Sequence, residues 1–280
     1  MIKKEGFFKD KNKANIFYQC WLPKTDTRAI LLVSHGLAEH SGRYMNIVNK
    51  FVPLGFAVYA LDHIGHGKSD GIRGYVEHFG DYTSTLKIYL DKVMHWQKDK
   101  PIFLVGHSMG GLISAEFLIT YKTILSGVVF SAPSIKAPKK TSLALVIVGK
   151  VLSKLLPKIR LIKLTSSSVS SDQEVVSNYF EDQLVYSGRT TARLAYEIYL
   201  SIKVIVNSLH NINLPVLILQ GGQDKLVNPE GAKLLFDGVG SSDKLLKTYD
   251  AMYHEVFNEP DHDRVLNDLH AWLECHVTEK

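Results

Sequence analysis

Gly106-His107-Ser108-Met109-Gly110 sets a serine among glycines, directly after the apolar run Ile102 to Val105 and before the helix-like stretch Gly111 to Tyr121. A serine on so sharp a strand-to-helix turn holds its hydroxyl clear of the backbone, as a nucleophile in acyl transfer requires, and the glycines relieve the crowding. The hydroxyl stays a weak nucleophile until a neighbouring base takes its proton. His254 and Asp224 are the matching base and carboxylate. Each lies just beyond an apolar, strand-like segment, Leu245 to Tyr249 and Val216 to Leu219. The chain order Ser108, Asp224, His254 is the order expected when a serine elbow stands at the rim of an open parallel sheet. His254 would accept the Ser108 proton and return it to the leaving oxygen, while Asp224 fixes the tautomer and stabilises the imidazolium. Glu230 and Asp243 are alternative carboxylates, and His262 and His270 alternative imidazoles. Glu230 opens a helix, Asp243 sits in a turn beside two serines, and both histidines fall in or near the last helix. The competing account makes Ser108 a helix N-cap, Asp224 a turn residue and His254 a surface group. The combined strand-end positions favour catalysis.

A tetrahedral intermediate also needs donors for its oxyanion. His35-Gly36-Leu37 follows the first confident core strand, so the backbone N–H groups of Leu37 and Met109 form the expected pair, Met109 because it follows the nucleophile. His35 itself reads as a structural hydrogen-bonding group of that loop. Asp62 to Ser69, D-H-I-G-H-G-K-S, imitates a phosphate loop, but Asp62 occupies the place of its first glycine. The histidines at His35, His63, His66 and His107 lack a tetrahedral ligand pattern, so neither nucleotide nor metal is expected.

Strand-like and helix-like segments alternate around these residues. Ala29 to Ser34, Phe56 to Leu61, Ile102 to Val105, Gly127 to Phe130, Val216 to Leu219 and Leu245 to Tyr249 read as strands. Tyr44 to Leu54, Asp81 to Trp96, Gly111 to Tyr121, Pro229 to Phe236 and Asp263 to Cys275 read as helices. This rhythm predicts an α/β fold with a mostly parallel central sheet flanked by helices. Turn residues near Gly6 and Asn12, with Ile16, Tyr18 and Trp21 beyond, suggest a peripheral hairpin at the N-terminus. The rhythm breaks in residues 135–210, which the sequence assigns to an inserted, predominantly helical lid between core halves 1–134 and 211–280. This insertion opens with Lys136, Pro138, Lys139 and Lys140 and includes the serine-rich run Ser166 to Ser171. Its segment Leu143 to Leu156 has an apolar helical face of Leu145, Val148, Val151, Leu152, Leu155 and Leu156, with Lys150 and Lys154 on a more polar side. That pattern suits reversible contact with an anionic membrane, or packing onto the core. Pro157 should end or bend the helix.

Composition sets wider bounds. The 280 residues are 45% hydrophobic and 22% charged, with a formal charge of +5 and no apolar stretch near the roughly 20 residues of a membrane span. Lysines are interleaved with acids, so nucleic acid is not implied. Cys20 and Cys275 show no metal-ligand spacing and read as a reduced cytosolic pair, with a disulfide between the termini as the alternative.

His35-Gly36-Leu37-Ala38-Glu39-His40-Ser41-Gly42-Arg43-Tyr44, Asp62 to Ser69, the serine elbow, Gln220 to Asp224 and Tyr253-His254 together resemble monoacylglycerol lipases within the α/β-hydrolase superfamily. The resemblance spans nearly the whole chain and is weakest from Ile135 to Ser208. It implies an α/β-hydrolase core and cofactor-free hydrolysis of a monoacylglycerol, or a related single-chain lipid ester, to glycerol and a fatty acid. It also implies that Glu39, Arg43, His107 and Tyr179 line or support the polar end of the pocket. The family often has alanine where this chain has Leu37, whose bulk narrows the acyl entrance. A broader carboxylesterase or lysophospholipase would share the same triad, and a noncatalytic lipid-binding protein could keep the same scaffold.

Overall fold

The computed structural model describes residues 1–122, 124–137, 143–163 and 168–277. The first half runs β1 (Ile2–Lys9), β2 (Asn15–Leu22), β3 (Ala29–Ser34), α1 (Met45–Phe51), β4 (Phe56–Leu61), α2 (Gly80–Trp96), β5 (Ile102–His107), α3 (Met109–Thr120) and β6 (Gly127–Ser131). Then come α4 (Leu143–Leu155), β7 (Arg160–Lys163), α5 (Gln173–Glu181), β8 (Arg189–Thr191) and α6 (Ala192–Val206). The chain closes with β9 (Val216–Gly221), α7 (Glu230–Gly238), β10 (Lys244–Tyr249) and α8 (His262–His276).

Eight strands make one sheet in the order β1-β2-β4-β3-β5-β6-β9-β10. The six from β4 to β10 are parallel, and all but the edge strand β10 are continuous runs buried on both faces, as expected of a parallel sheet covered by helices. Because side chains alternate along a strand, each run feeds two cores. Ile30, Leu32, Leu104, Phe130 and Ile218 meet Leu86 and Tyr89 of α2 and Leu112 and Phe117 of α3. Leu31, Val33, Val105, Val129 and Leu217 meet Ile47 and Phe51 of α1 and Leu269 and Leu273 of α8. The parallel strands thus all end on one side, where β3, β5, β9 and β10 deliver the loops that carry His35, Ser108, Asp224 and His254.

Three local expectations are revised. The N-terminal hairpin extends the central sheet, since β2 pairs antiparallel with β4; Ile16, Phe17, Cys20 and Trp21 are buried on its two faces. The expected helix Tyr44 to Leu54 is shorter, a 3-10 turn at Ser41–Tyr44 followed by α1, because Pro53 has no N–H to extend it. The segment between β6 and β9 also contains a two-stranded antiparallel sheet, β7-β8, which fails to stand out from its surroundings because its strands are only four and three residues long.

That segment is fastened to the core by polar contacts. Thr191 Oγ1 donates to Gly74 O at 2.7 Å, Tyr186 N–H to Ala38 O at 2.7 Å and Ser171 Oγ to Glu259 Oε2 at 2.6 Å. On α4, Val146, Gly149 and Leu152 are half-buried and Ser153 is buried, whereas Leu145, Val148, Val151, Leu155, Lys150 and Lys154 are exposed. Leu152 therefore leaves the expected outer face, and Pro157 lies in the turn after the helix. The basic residues Lys139 and Lys140, with Pro138, and the serines Ser166 and Ser167 lie outside the described residues. Among the described residues no helix is long and apolar enough to cross a membrane. Cys20 is buried, Cys275 is exposed, and both are free thiols.

Candidate active site

Ser108 sits between β5 and α3 with φ 53° and ψ −117°, a left-handed conformation that costs a non-glycine residue about 1–3 kcal/mol. The surrounding backbone enforces it. Ser108 N–H donates to Ser131 O at 2.9 Å, while Ser108 O accepts from Gly111 N–H at 3.0 Å and Ser134 N–H at 3.1 Å. Glycine is required beside it, because a Cβ on Gly110 would collide with the carbonyl oxygens of Ser34 and His35. β3 and α3 can therefore close around the turn only without a side chain there.

His254 Nδ1 lies 2.7 Å from Asp224 Oδ2. Asp224 is held in turn by Gln220 Nε2 at 3.2 Å on Oδ2 and by the N–H groups of Leu226 at 2.8 Å and Val227 at 3.0 Å on Oδ1. A carboxylate so supplied with donors keeps one orientation and accepts a hydrogen bond from Nδ1–H, leaving the Nε2 lone pair of His254 for a second partner. Ser108, Asp224 and His254 line one cavity, and among the described residues Ser108 Oγ makes no hydrogen bond. Leu37 and Met109 line the same cavity. Met109 is the first residue of α3, where a backbone N–H has no intrahelical acceptor, and no described backbone bond uses the N–H of Leu37. His35 steadies that loop: its Nδ1 is 2.8 Å from Gly36 O, and its Nε2 accepts from His63 N–H at 2.8 Å. Burial first, and the neighbouring His63 and His66 second, keep its pKa well below the usual imidazole range, so it works as a neutral strut.

A polar cluster centred on Glu39, Arg43 and Glu255 adjoins the cavity. Glu39 Oε1 accepts from Gly36 N–H at 2.6 Å and Tyr44 OH at 2.8 Å. Arg43 Nη2 donates to Glu255 Oε2 at 2.7 Å, its Nε is 3.7 Å from Glu39 Oε2, and its guanidinium stands 4.6 Å over the Tyr179 ring. Two buried carboxylates therefore share one guanidinium. Burial, reinforced by Glu255 and opposed by Arg43, pushes Glu39 up to about 7. His107 Nδ1 is 3.1 Å from Ser131 Oγ, with its ring 4.7 Å from that of His254. Burial and the adjacent His254 hold His107 well below the ordinary imidazole value, so it is neutral. The cavity measures about 820 Å³, and Val146 of α4, Leu161 and Ile162 of β7, and Tyr196, Ile198 and Ile202 of α6 make its apolar wall. The apolar lining can take a long alkyl chain and the polar groups a partner rich in hydrogen bonds.

A family model described as "Serine aminopeptidase, S33" matches residues 25–261. The monoacylglycerol lipase of Mycolicibacterium smegmatis is 35% identical over 98% of both chains. The chain belongs to the monoacylglycerol lipase family of α/β-hydrolases. A monoglyceride lipase of Mus musculus is 33% identical over 92% of this chain and 86% of its own. The crystal structure of a monoacylglycerol lipase from Paleococcus ferrophilus superposes with a TM-score of 0.82 at 29% identity, covering 99% of this chain and all of that one. Members of this family are serine hydrolases, and the chain is an enzyme of that class. The peptidase wording of the family description and the lipase relatives share one triad logic, so the pocket beyond the triad must settle the substrate.

The structure gathers every site residue expected from sequence: Leu37, Glu39, His107, Ser108, Met109, Tyr179, Asp224 and His254 line the cavity, and Arg43 lies behind Glu39 and Tyr179. The alternatives are elsewhere. Glu230 pairs with Lys136, Asp243 with His276, and His270 with Glu274, while His262 Nδ1 is 2.7 Å from Glu259 O. Sequence reasoning missed Glu255, which sits next to His254 and carries the stronger hold on Arg43, and Asn258, which supports it at 2.8 Å. The available signal was an acidic residue directly after the base, in a loop that had to face the cavity.

Proposed function

We propose that this enzyme hydrolyses monoacylglycerols to glycerol and a fatty acid. Ser108 Oγ attacks the ester carbonyl as His254 Nε2 takes its proton, and the N–H groups of Leu37 and Met109 receive the oxyanion. The bond to the glycerol oxygen then breaks, with His254 protonating that oxygen. Water, deprotonated by His254, next attacks the acyl-enzyme, releases the fatty acid and restores Ser108. The carrying observation is that one cavity around Ser108 is lined both by apolar residues, Val146, Leu161, Ile162, Ile198 and Ile202, and by the polar Glu39, His107 and Tyr179, with Arg43 held against Glu39 and Tyr179. The lipase relatives support the same reading. An apolar wall favours an acyl tail by about 0.8 kcal/mol per buried methylene but cannot count ester groups. Selection against a second acyl chain must come from the polar cluster, which free hydroxyls satisfy and an ester leaves unpaired.

Assayed in mixed micelles at fixed interfacial concentration, a monoacylglycerol should exceed its di- and triacyl counterparts in kcat/KM by at least about tenfold. Equal values would replace this assignment with a broader lipase or carboxylesterase.

The reading extends to where the substrate is met. Residues 135–210 act as a lid whose outer face rests reversibly on anionic membrane, making the enzyme a peripheral membrane protein. Val148 at 52%, Val151 at 48% and Leu155 at 73% exposure form an apolar stripe on α4 beside the exposed Lys150 and Lys154. Lys150→Glu combined with Lys154→Glu should weaken affinity for anionic liposomes at low salt, read by co-sedimentation, by at least about thirtyfold, each lysine contributing about 1 kcal/mol near such a surface. Equal binding of the unmodified protein to neutral and anionic vesicles would discard the electrostatic part.

A further inference from the structure

Glu255 lines the cavity that holds Ser108 and His254, yet it belongs neither to the triad nor to the oxyanion loop. Its backbone is fixed on both sides: its N–H donates to Val169 O at 2.8 Å, and Val256 N–H donates to His254 O at 3.0 Å. Its two side-chain partners, Arg43 Nη2 at 2.7 Å and Asn258 Nδ2 at 2.8 Å, both donate to Oε2. Asn258 is itself held, its Oδ1 accepting from Asn46 Nδ2 at 3.2 Å. Among the described residues no hydrogen bond reaches Glu255 Oε1, although the residue is only 5% exposed. Glu39 differs, since its Oε1 already receives two donors. A carboxylate oxygen with spare lone pairs, on a buried side chain at a cavity wall, is a strong acceptor.

We propose that Glu255 is a specificity-determining residue of this site, its Oε1 accepting a hydrogen bond from a free hydroxyl of the substrate's alcohol while Oε2 keeps Arg43 in place. The inference rests on the monoacylglycerol reading above. Its chemistry follows from position. His254 must protonate the departing alcohol oxygen, so the alcohol lies beside His254 as the ester breaks, and Glu255 is the next residue along the chain. An ionised carboxylate accepts hydrogen bonds and donates none. A hydroxyl satisfies it, whereas an ester oxygen in the same place opposes lone pair to lone pair. Glu255 thereby reads whether a neighbouring glycerol oxygen is free or acylated.

The test compares the monoacylglycerol with the ethyl ester of the same fatty acid, in identical mixed micelles, for the unmodified enzyme, Glu255→Leu and Glu255→Met, neither of which can hydrogen-bond at the Oε1 position. The quantity read is the ratio of the two kcat/KM values. Each variant should lower that ratio by at least about tenfold, the loss expected for one hydrogen bond to a charged acceptor. A residue that merely positions Arg43 or His254 would slow both substrates together, so an unchanged ratio in either folded variant overturns the assignment even if both rates fall. Two variants guard against one failing to fold. If the unmodified enzyme itself shows no preference for the monoacylglycerol, the substrate reading fails and the role of Glu255 falls with it. A preference that survives in the variants removes Glu255 alone.

Discussion

Ser108→Ala should lower kcat on monoacylglycerol by about 10⁶-fold and shift Tm by no more than a few degrees. Removal of the nucleophile in a serine hydrolase costs about that factor, because what remains is binding and oxyanion stabilisation with nothing for the base to activate. Stability should survive because the lost oxygen has no hydrogen-bond partner among the described residues, so its removal orphans no donor or acceptor. The backbone conformation at φ 53° remains, held by Ser131, Gly111 and Ser134. Ser108→Gly makes the complementary case: it is equally inactive, but it relaxes the left-handed strain and should gain up to about 1 kcal/mol of stability. Release of fatty acid, labelling by a fluorophosphonate and thermal melting together check both variants. A wild-type rate in Ser108→Ala would end the serine mechanism, whatever the elbow geometry.

The parts of this molecule legible in its sequence are those that one physical constraint dictates. Apolar runs such as Ala29 to Ser34 and Val216 to Gly221 can be satisfied only between two helical layers, and loops at one end of such a sheet must converge. Ser108, Asp224 and His254 could therefore be placed from motif and position. The hairpin β1-β2 was legible as a hairpin but not as part of the central sheet, because pairing with β4 is a tertiary choice that alternation in Asn15 to Leu22 does not encode. The two-stranded β7-β8 sheet was illegible for a related reason: Arg160 to Lys163 has every side chain exposed and leaves no periodic imprint. On α4 the amphipathic pattern was visible, yet which side faced outward depended on α6 and the cavity. Val146, Gly149 and Leu152 turned inward, while Val148, Val151 and Leu155 stayed outside. The polar cluster shows the same boundary. Glu39 and Arg43 announce themselves by their motif, whereas Glu255 matters because a loop after β10 brings it to Arg43 from 212 residues away.

Asp224→Asn is expected to lower kcat by about 10⁴-fold, with KM little changed and the fold retained. Four donors hold the Asp224 carboxylate. Asp224 Oδ1 receives the N–H groups of Leu226 and Val227, and Oδ2 lies 2.7 Å from His254 Nδ1 and 3.2 Å from Gln220 Nε2. An asparagine can offer an acceptor oxygen to only one of these pairs. If its amide nitrogen takes the Oδ1 place, it confronts two fixed backbone donors. The favoured arrangement therefore leaves the oxygen on Leu226 and Val227 and turns the NH2 toward His254 and Gln220. There the NH2 donates to His254 Nδ1, which must give up its own proton and become the acceptor. The imidazole proton then resides on Nε2, the atom that has to accept from Ser108, so the base is lost although every heavy atom stays in place. The opposed Gln220 amide makes the exchange mildly destabilising, by about 1 kcal/mol. Fluorophosphonate labelling should slow in parallel with kcat, since both need Ser108 deprotonated. Activity within tenfold of wild type would mean that another carboxylate orients His254, and Glu255, its neighbour in the chain, would become the first place to look.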